Sequence, residues 1–465
     1  EEIQACRDGY IYVHDMSARR DTMNCCLFDV QNVLSGGFEM GNIWYNEPKS
    51  LDVAFDVIGD IVLSAASQQY GGFTIPEIDK ILEKYAQKTY DRSYKRYMEM
   101  GVSEEIAIRS AEEDVWKEMK QGFQGLEYKF NTVASSRGDY PFITLTFGLS
   151  RSKWGKMASI ACLKVRQEGQ GKEGFKKPVL FPKLVFLYDE NLHGEGKELE
   201  DVFEAGISCS SKTMYPDWLS LTGEGYVAEM YKKYGAVISP MGCRAFLSPW
   251  FERGGMEPAD ENDKPVFVGR FNIGVISLNL PMIYQKSVFE EKDFYEVLDY
   301  YLEMIRKNHK RTFEYIGEMP TCRAPMQFCE GGLYGGNLSY TEKVKPLLKS
   351  ATASFGETAL NELEQLHSKK SLVEDGSFSL EVMEYINNKI QEFKKEDQIL
   401  YAVYGTPAES LCGRQVTQFR KKYGIVENVS DRAYMSNSFH CHVTEHISPI
   451  EKQNLEKRFW DFCDY

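Results

Sequence analysis

The segment Ser239-Pro240-Met241-Gly242-Cys243-Arg244 puts a thiol, a thioether and a guanidinium beside two chain breakers. Pro240 and Gly242 interrupt the apolar, strand-like run Gly235-Ala236-Val237-Ile238, so Cys243 is expected at the tip of a tight loop. A lone loop cysteine is often a buried, inert hydrophobe. A second unusual site, Asn24-Cys25-Cys26-Leu27-Phe28-Asp29, argues against that bland reading. Two special cysteines from distant segments are what a thiol-based active site requires. Adjacent cysteines diverge on an extended chain, so only one of Cys25 and Cys26 can face Cys243, and they are poor disulfide partners.

Two further motifs have chemical readings. Thr406-Pro407-Ala408-Glu409 follows a strand ending at Tyr404. Thr406 fits a helix N-cap, Pro407 the first turn and Glu409 the capping-box position. Such a terminus offers N–H groups and a positive dipole end to a phosphate. A merely well-capped helix is the competing reading, and the Glu409 charge favours it. His440-Cys441-His442 with His446 suggests a metal. His440 and His442 would share one face of a strand, but no carboxylate or cysteine stands at a partner spacing. Asn437-Ser438-Phe439 reads as the start of that strand. No Cys-x-x-Cys pair exists in the chain, so thioredoxin-like and four-cysteine zinc motifs are absent.

These sites must be held by a large scaffold. The chain has 465 residues, 43% of them hydrophobic, and a net charge of -14. That charge argues against a broad nucleic-acid-binding face. Eleven scattered cysteines do not form a secreted disulfide framework, and a reducing cytoplasm is the expected setting. No apolar run approaches the ~18 residues of a membrane span. The start at Glu1, without Met, reads as a piece of something longer.

Tyr10–Val13 reads as a short strand and Leu51–Ser67 as an amphipathic helix capped by Ser50 and ended by Gly71-Gly72. Ile75–Met98 and Ser103–Gln124 read as long charged helices, with Ser103 an N-cap. They would protrude, form a dimer contact, or pack on the core. Phe142–Phe147, Val179–Phe181, Leu184–Leu187, Phe271–Leu280 and Ile399–Tyr404 are near-continuous apolar strands between helical segments. That alternation implies an α/β fold with a largely parallel sheet covered on both faces. The polar stretch Glu168–Lys177 is a candidate linker.

Taken in order, Tyr12-Val13-His14-Asp15, Asn24-Cys25-Cys26, Gln69-Tyr70-Gly71-Gly72, Phe181-Pro182-Lys183-Leu184, Met214-Tyr215-Pro216-Asp217 and Ser239 to Arg244 resemble the class III, anaerobic ribonucleoside-triphosphate reductases. So do Asn272 with Asn279-Leu280-Pro281, Asn361-Glu362-Leu363, Thr406 to Leu411 and Asn437-Ser438-Phe439-His440. Each motif is weak alone. Their order across nearly the whole chain is highly specific.

The resemblance implies one catalytic domain over residues 1–465. Its fold would be a ten-stranded α/β barrel of two antiparallel five-stranded halves, with a finger loop at about 238–246. A helical dimer and effector region would span about 50–126. Cys243 is implied to be the thiyl site, Cys25 the second active-site cysteine, and Asn272 a residue orienting the sugar or the reductant, with Met241 bordering them. Asn24, Asn437 and the run Thr406, Pro407, Ala408, Glu409, Ser410 and Leu411 are implied to hold the ribonucleoside triphosphate. The implied partners are ATP and deoxynucleotide effectors, a radical-SAM activating enzyme and a second copy of the chain, with formate as reductant. The glycyl-radical loop and four-cysteine zinc site of the family do not occur in this sequence, nor does the N-terminal ATP cone. Ala245 stands where some members have serine. A catalytic-core fragment or one half of a split enzyme is therefore expected. The alternatives are a silent nucleotide-binding or assembly subunit and another glycyl-radical enzyme.

Overall fold

The computed structural model describes residues 1–16, 22–134, 140, 142–242 and 245–464. Cys243 and Arg244 therefore lie outside the described residues. The strands are β1 (Ile11–Val13), β2 (Cys26–Leu27), β3 (Phe38–Met40), β4 (Ile43–Tyr45), β5 (Phe73–Ile75), β6 (Ile143–Phe147), β7 (Lys183–Tyr188), β8 (Asp217–Ser220), β9 (Phe271–Asn279), β10 (Ala351–Thr358) and β11 (Leu400–Gly405). β3 and β4 form a separate hairpin.

The other nine make one sheet. β2, β5, β6, β7 and β8 run parallel in that spatial order. β9, β10 and β11 form a second parallel set. The sets meet antiparallel where Cys26 pairs with Phe271. β1 lies antiparallel along the remainder of the β9 edge, Ile11 opposite Leu278. The expected two antiparallel halves are present, but ten strands are not: among the described residues the halves hold five and three parallel strands, plus β1. Every residue of β6, β9, β10 and β11 is buried, as a sheet covered on both faces requires.

Two apolar runs read as strands join no ladder. In Val179–Phe181 the chain runs into Pro182, which lacks an N–H to pair. Gly235 is instead the left-handed C-cap of the helix Tyr226–Tyr234, with φ of 65°, and the chain after it is irregular. The stretch after Glu168 is a tight bridge from Gln170 to Lys177, not an open linker.

The helices Leu51–Ser67, Ile78–Glu99 and Glu104–Thr132 pack on one another and on the first half of the sheet. The second starts later than the apolar pattern suggested, because Phe73–Ile75 is strand β5. Ser103 caps the third through Ile106 N–H. Ser50 occupies the N-cap of the first, but its hydroxyl bonds Asp52, while Leu51 N–H donates to Thr89 Oγ1 at 2.8 Å. That helix ends at Ser67, leaving Gly71-Gly72 for another task.

The third helix runs through Gly122 and Gly125 to Thr132. Gly122 leaves room for Phe55: a Cβ there would lie 2.1 Å from the ring, whereas one on Gly125 meets nothing within 4 Å. Gly122→Ala should therefore destabilise the protein by roughly 1–3 kcal/mol through overpacking. Gly125→Ala should be neutral or stabilise it by up to about 1 kcal/mol through helix propensity. Urea unfolding of the two variants checks this opposition in sign.

Candidate active site

The two adjacent cysteines part as strand alternation demands. Cys26 turns into the main core, where its Sγ donates to Gln69 Oε1 at 3.1 Å and burial raises its pKa. Cys25 turns the other way, into a small apolar cluster with Leu27, Met241, Ala245, Leu247, Val275 and Tyr404. Its sulfur accepts Gly72 N–H at 3.0 Å and donates to Asn24 Oδ1 at 3.3 Å. Cys25 and the flanks of the loop that carries Cys243 thus share one site.

The described flanks of that loop run between the two halves of the sheet without regular structure. Ser239 Oγ bonds Thr146 Oγ1 of β6 at 3.2 Å. Pro240 O accepts from Thr74 Oγ1 of β5 at 3.0 Å. Met241 N–H donates to Ala245 O at 2.9 Å, closing the tip. Leu247 O accepts from Tyr226 OH at 3.0 Å. The returning stem is anchored by Arg270, whose guanidinium donates to Ser248 O at 3.1 Å and Ser350 O at 2.7 Å. Burial lowers the Arg270 pKa to about 10.

Asn272 sits beside Cys25: its N–H donates to Cys25 O at 2.8 Å, and its O accepts Asn24 N–H at 2.9 Å. Its side chain spans β9 and β10, donating to Ser354 Oγ at 2.8 Å and accepting Gly274 N–H at 2.6 Å.

The Thr406 segment differs from the capping-box expectation. The helix is Glu409–Tyr423, its N-cap position is Ala408, and no side chain of the motif caps it. Thr406 is fully buried, and its hydroxyl bonds Ser277 Oγ of β9 at 2.7 Å. Just past the end of β11, the contact with Ser277 has captured the residue that would have capped. Asn437 takes over instead: its Oδ1 accepts Ala408 N–H at 2.7 Å and lies 3.2 Å from Cys412 Sγ. Pro407, Glu409 and Ser410 are exposed, whereas Leu411 is buried. Glu409, Ser410, Cys412, Asn437, His440 and His442 border a groove of about 770 Å³.

Several residues at this site were given no role by the motif reading, His14 among them although it stands in the Tyr12–Asp15 motif. His14 Nε2 bonds Ser277 Oγ at 2.8 Å, extending the Ser277–Thr406 contact into a chain, and burial lowers the His14 pKa to about 4. Thr74, Thr146, Ser277 and Ser354 are buried hydroxyls inside strands β5, β6, β9 and β10. The signal available was their period: Thr352, Ser354, Gly356 and Thr358 alternate with Ala353, Phe355 and Glu357 along β10.

The histidine cluster lies in irregular chain, not on a strand. His440 Nδ1 lies 2.6 Å from Glu456 Oε1, and His442 Nδ1 2.8 Å from Thr444 Oγ1. These local partners, two residues and one helix away, replace the shared strand face. Among the described residues, no group of three or more His, Cys, Asp or Glu side chains is placed to hold a metal ion. No helix among them is long and apolar enough to cross a membrane.

Comparison with known proteins gives this arrangement a family context. The family model described as anaerobic ribonucleoside-triphosphate reductase matches residues 1–464. The chain is 33% identical over 466 aligned residues to the anaerobic ribonucleoside-triphosphate reductase of Haemophilus influenzae, covering 98% of this chain and 63% of that protein. The enzyme of Enterobacteria phage T4 is 32% identical, with 98% and 73% covered. The chain thus spans about two thirds of the length of these relatives. Its fold matches the anaerobic ribonucleotide reductase of Thermotoga maritima in complex with dATP and CTP, with a TM-score of 0.67 at 15% identity, covering 99% of this chain and 72% of that one.

One buried acid flanks the site. Glu357 of β10 is fully buried, its Oε1 bonds the Ser438 hydroxyl, and its Oε2 has no partner. Burial raises its pKa to about 8. A raised folded-state value means that stability is full below the unfolded carboxylate range and is lost as pH rises towards 8. Glu357→Gln cannot ionise. Between pH 6 and pH 9 the native protein should lose stability relative to this variant by roughly 1–4 kcal/mol, read from denaturant melts at both pH values.

Proposed function

We propose that this chain, which belongs to the anaerobic ribonucleoside-triphosphate reductase family, is the catalytic core that replaces the ribose 2′-hydroxyl of a ribonucleoside triphosphate with hydrogen. The observation that carries this reading is the convergence, at one buried site, of Cys25, the loop leading into Cys243, and the inward polar face of β9–β11 that ends at Thr406.

In this reading Cys243, as a thiyl radical, takes hydrogen from C3′ of the ribose. The 2′-hydroxyl then takes up a proton and leaves as water. Formate, oxidised to carbon dioxide, supplies the two electrons, with Cys25 passing hydrogen to the sugar from the opposite face. Cys243 finally returns its hydrogen to C3′, which regenerates the thiyl. A glycyl radical, generated by a radical-SAM activating enzyme on a segment outside these residues, supplies the unpaired electron. Zinc belongs to that same segment. Asn272 orients the sugar or the reductant beside Cys25, and Met241 borders them. The apolar lining of the Cys25 cluster excludes water from the radical.

The triphosphate lies at the start of the helix Glu409–Tyr423, where the free N–H groups and helix dipole attract anions. Asn437 shapes that turn through Ala408 N–H. Support for nucleotide at two places comes from the Thermotoga maritima relative, described with dATP and CTP and, separately, with dATP in the specificity site. For this chain the effector is assigned to the helices within residues 50–126, at a homodimer contact. Exposed Met98, Met100, Ile106 and Ile108 offer apolar surface there.

The chain should bind a ribonucleoside triphosphate and, supplied anaerobically with a glycyl-radical segment, its activating enzyme and formate, should form deoxynucleotide. Cys243→Ser should abolish product, because a glycyl radical cannot generate an alkoxyl radical. Cys25→Ser should still exchange the C3′ hydrogen yet block net reduction. Product assays and C3′ tritium release check both. Comparable product from Cys243→Ser would remove that residue as the radical carrier. Nucleotide binding without turnover in the complete system would favour the silent nucleotide-binding subunit.

A further inference from the structure

We propose that Gly71 and Gly72 are positioning residues for Cys25, and that their missing side chains set the gap between Cys25 and the loop that leads into Cys243. The catalytic consequence rests on the reductase reading; the geometry does not.

The two glycines stand in the narrowest part of the site. A Cβ on Gly71 would lie 1.8 Å from Asn24 Oδ1 and 2.6 Å from Cys25 Sγ. One on Gly72 would lie 3.0 Å from Gly242 Cα and 3.1 Å from Gly242 N. Gly242 answers from the other side: its own Cβ would fall 3.2 Å from Gly72 Cα and 2.6 Å from Phe142. Backbone therefore packs on backbone at this point. None of the three glycines has positive φ. Conformational freedom is not what requires glycine here; space is.

The surrounding contacts leave the segment little room to yield. Gly71 N–H donates to Asn24 O at 2.8 Å, and Gly72 O accepts Cys26 N–H at 3.1 Å. Gln69, almost fully buried, donates from Nε2 to Gly72 O at 2.7 Å, while its Oε1 accepts from Cys26 Sγ and from Gln327 Nε2 at 3.2 Å. Tyr70 OH donates to Ile273 O at 2.9 Å. Held on both flanks, Gly72 directs its N–H at the Cys25 sulfur, 3.0 Å away. Thr74, two residues on, grips Pro240 O and so fixes the facing loop to the same strand. One short segment thereby sets both walls of the gap.

The test uses Gly72→Ala and Thr74→Val. The first adds a Cβ against Gly242; the second releases the loop without adding bulk. Alkylation by iodoacetamide is followed at each cysteine by peptide mass spectrometry on the folded chain, with buried Cys412 as internal reference. Both variants should raise the Cys25 rate roughly fivefold or more and leave Cys412 unchanged, as local rather than global opening requires. In the complemented enzyme, Gly72→Ala should lower kcat by about 10–100-fold, the scale of a misplaced reacting group, with KM within about twofold because the phosphate end is untouched. Unchanged Cys25 alkylation in either folded variant, or an equal rise at Cys412, would overturn the inference. If Gly72→Ala does not fold, Thr74→Val decides. Failure of the reductase reading shows separately, as absence of product from the unsubstituted complemented chain, while alkylation still measures the gap.

Discussion

Irregular backbone on either side of Cys243, Ser239–Gly242 and Ala245–Ser248, lies largely buried between the two halves of a sheet, and the site depends on satisfying its polar groups there. Unpaired buried N–H and C=O groups each cost about 1–3 kcal/mol, so such a loop persists only where the walls supply partners. Thr74 and Thr146 supply hydroxyls from the first half. Tyr226 and Arg270 supply donors to the returning stem. The Arg270 guanidinium donates to the backbone carbonyls of Ser248, Val266 and Ser350, which carry no full charge, so burial depresses its pKa. These contacts give the loop a fixed path across an otherwise apolar interior.

The antiparallel junction of β2 with β9 does the second part of the positioning. It brings Cys25 and Asn272 into backbone contact although they lie far apart in sequence. The same junction sends Cys25 and Cys26 to opposite sides, so one thiol joins the site and the other the core. In the proposed chemistry this separation is useful: a hydrogen-atom donor needs a fixed position in an apolar pocket, and a second thiol alongside would compete with it.

The proposed phosphate end follows a different logic. Ser277, Thr406 and half-buried His14 form a hydrogen-bonded chain at the carboxyl ends of β9 and β11, which is where open α/β sheets generally place ligands. Gly356 makes room for it, since a Cβ there would lie 2.1 Å from Ser277 Oγ and 2.3 Å from Thr406 Oγ1. Thr406 thus ties the strand to its neighbour, and Asn437, from a later segment, shapes the helix start.

Much of this was legible in the residues themselves. Helical periodicity located Leu51–Ser67, apolar runs located β6, β9 and β11, and the odd chemistry of Cys25 and Cys243 marked both segments for attention. These signals are local, because spacing and chain breakers act within a few residues. The sequence could not decide which hydroxyl Thr406 would bond: the local capping partner lost to Ser277, a contact across strands. It gave Gly71-Gly72 the role of a helix stop, because only a neighbour brought in by folding, Gly242, reveals that space was the requirement. The apolar runs at Val179 and Gly235 form no strand for the same reason, since folding brought them no paired neighbour. Composition and period determine what each segment can become; tertiary contacts decide which of its hydrogen-bond partners and packing neighbours it meets.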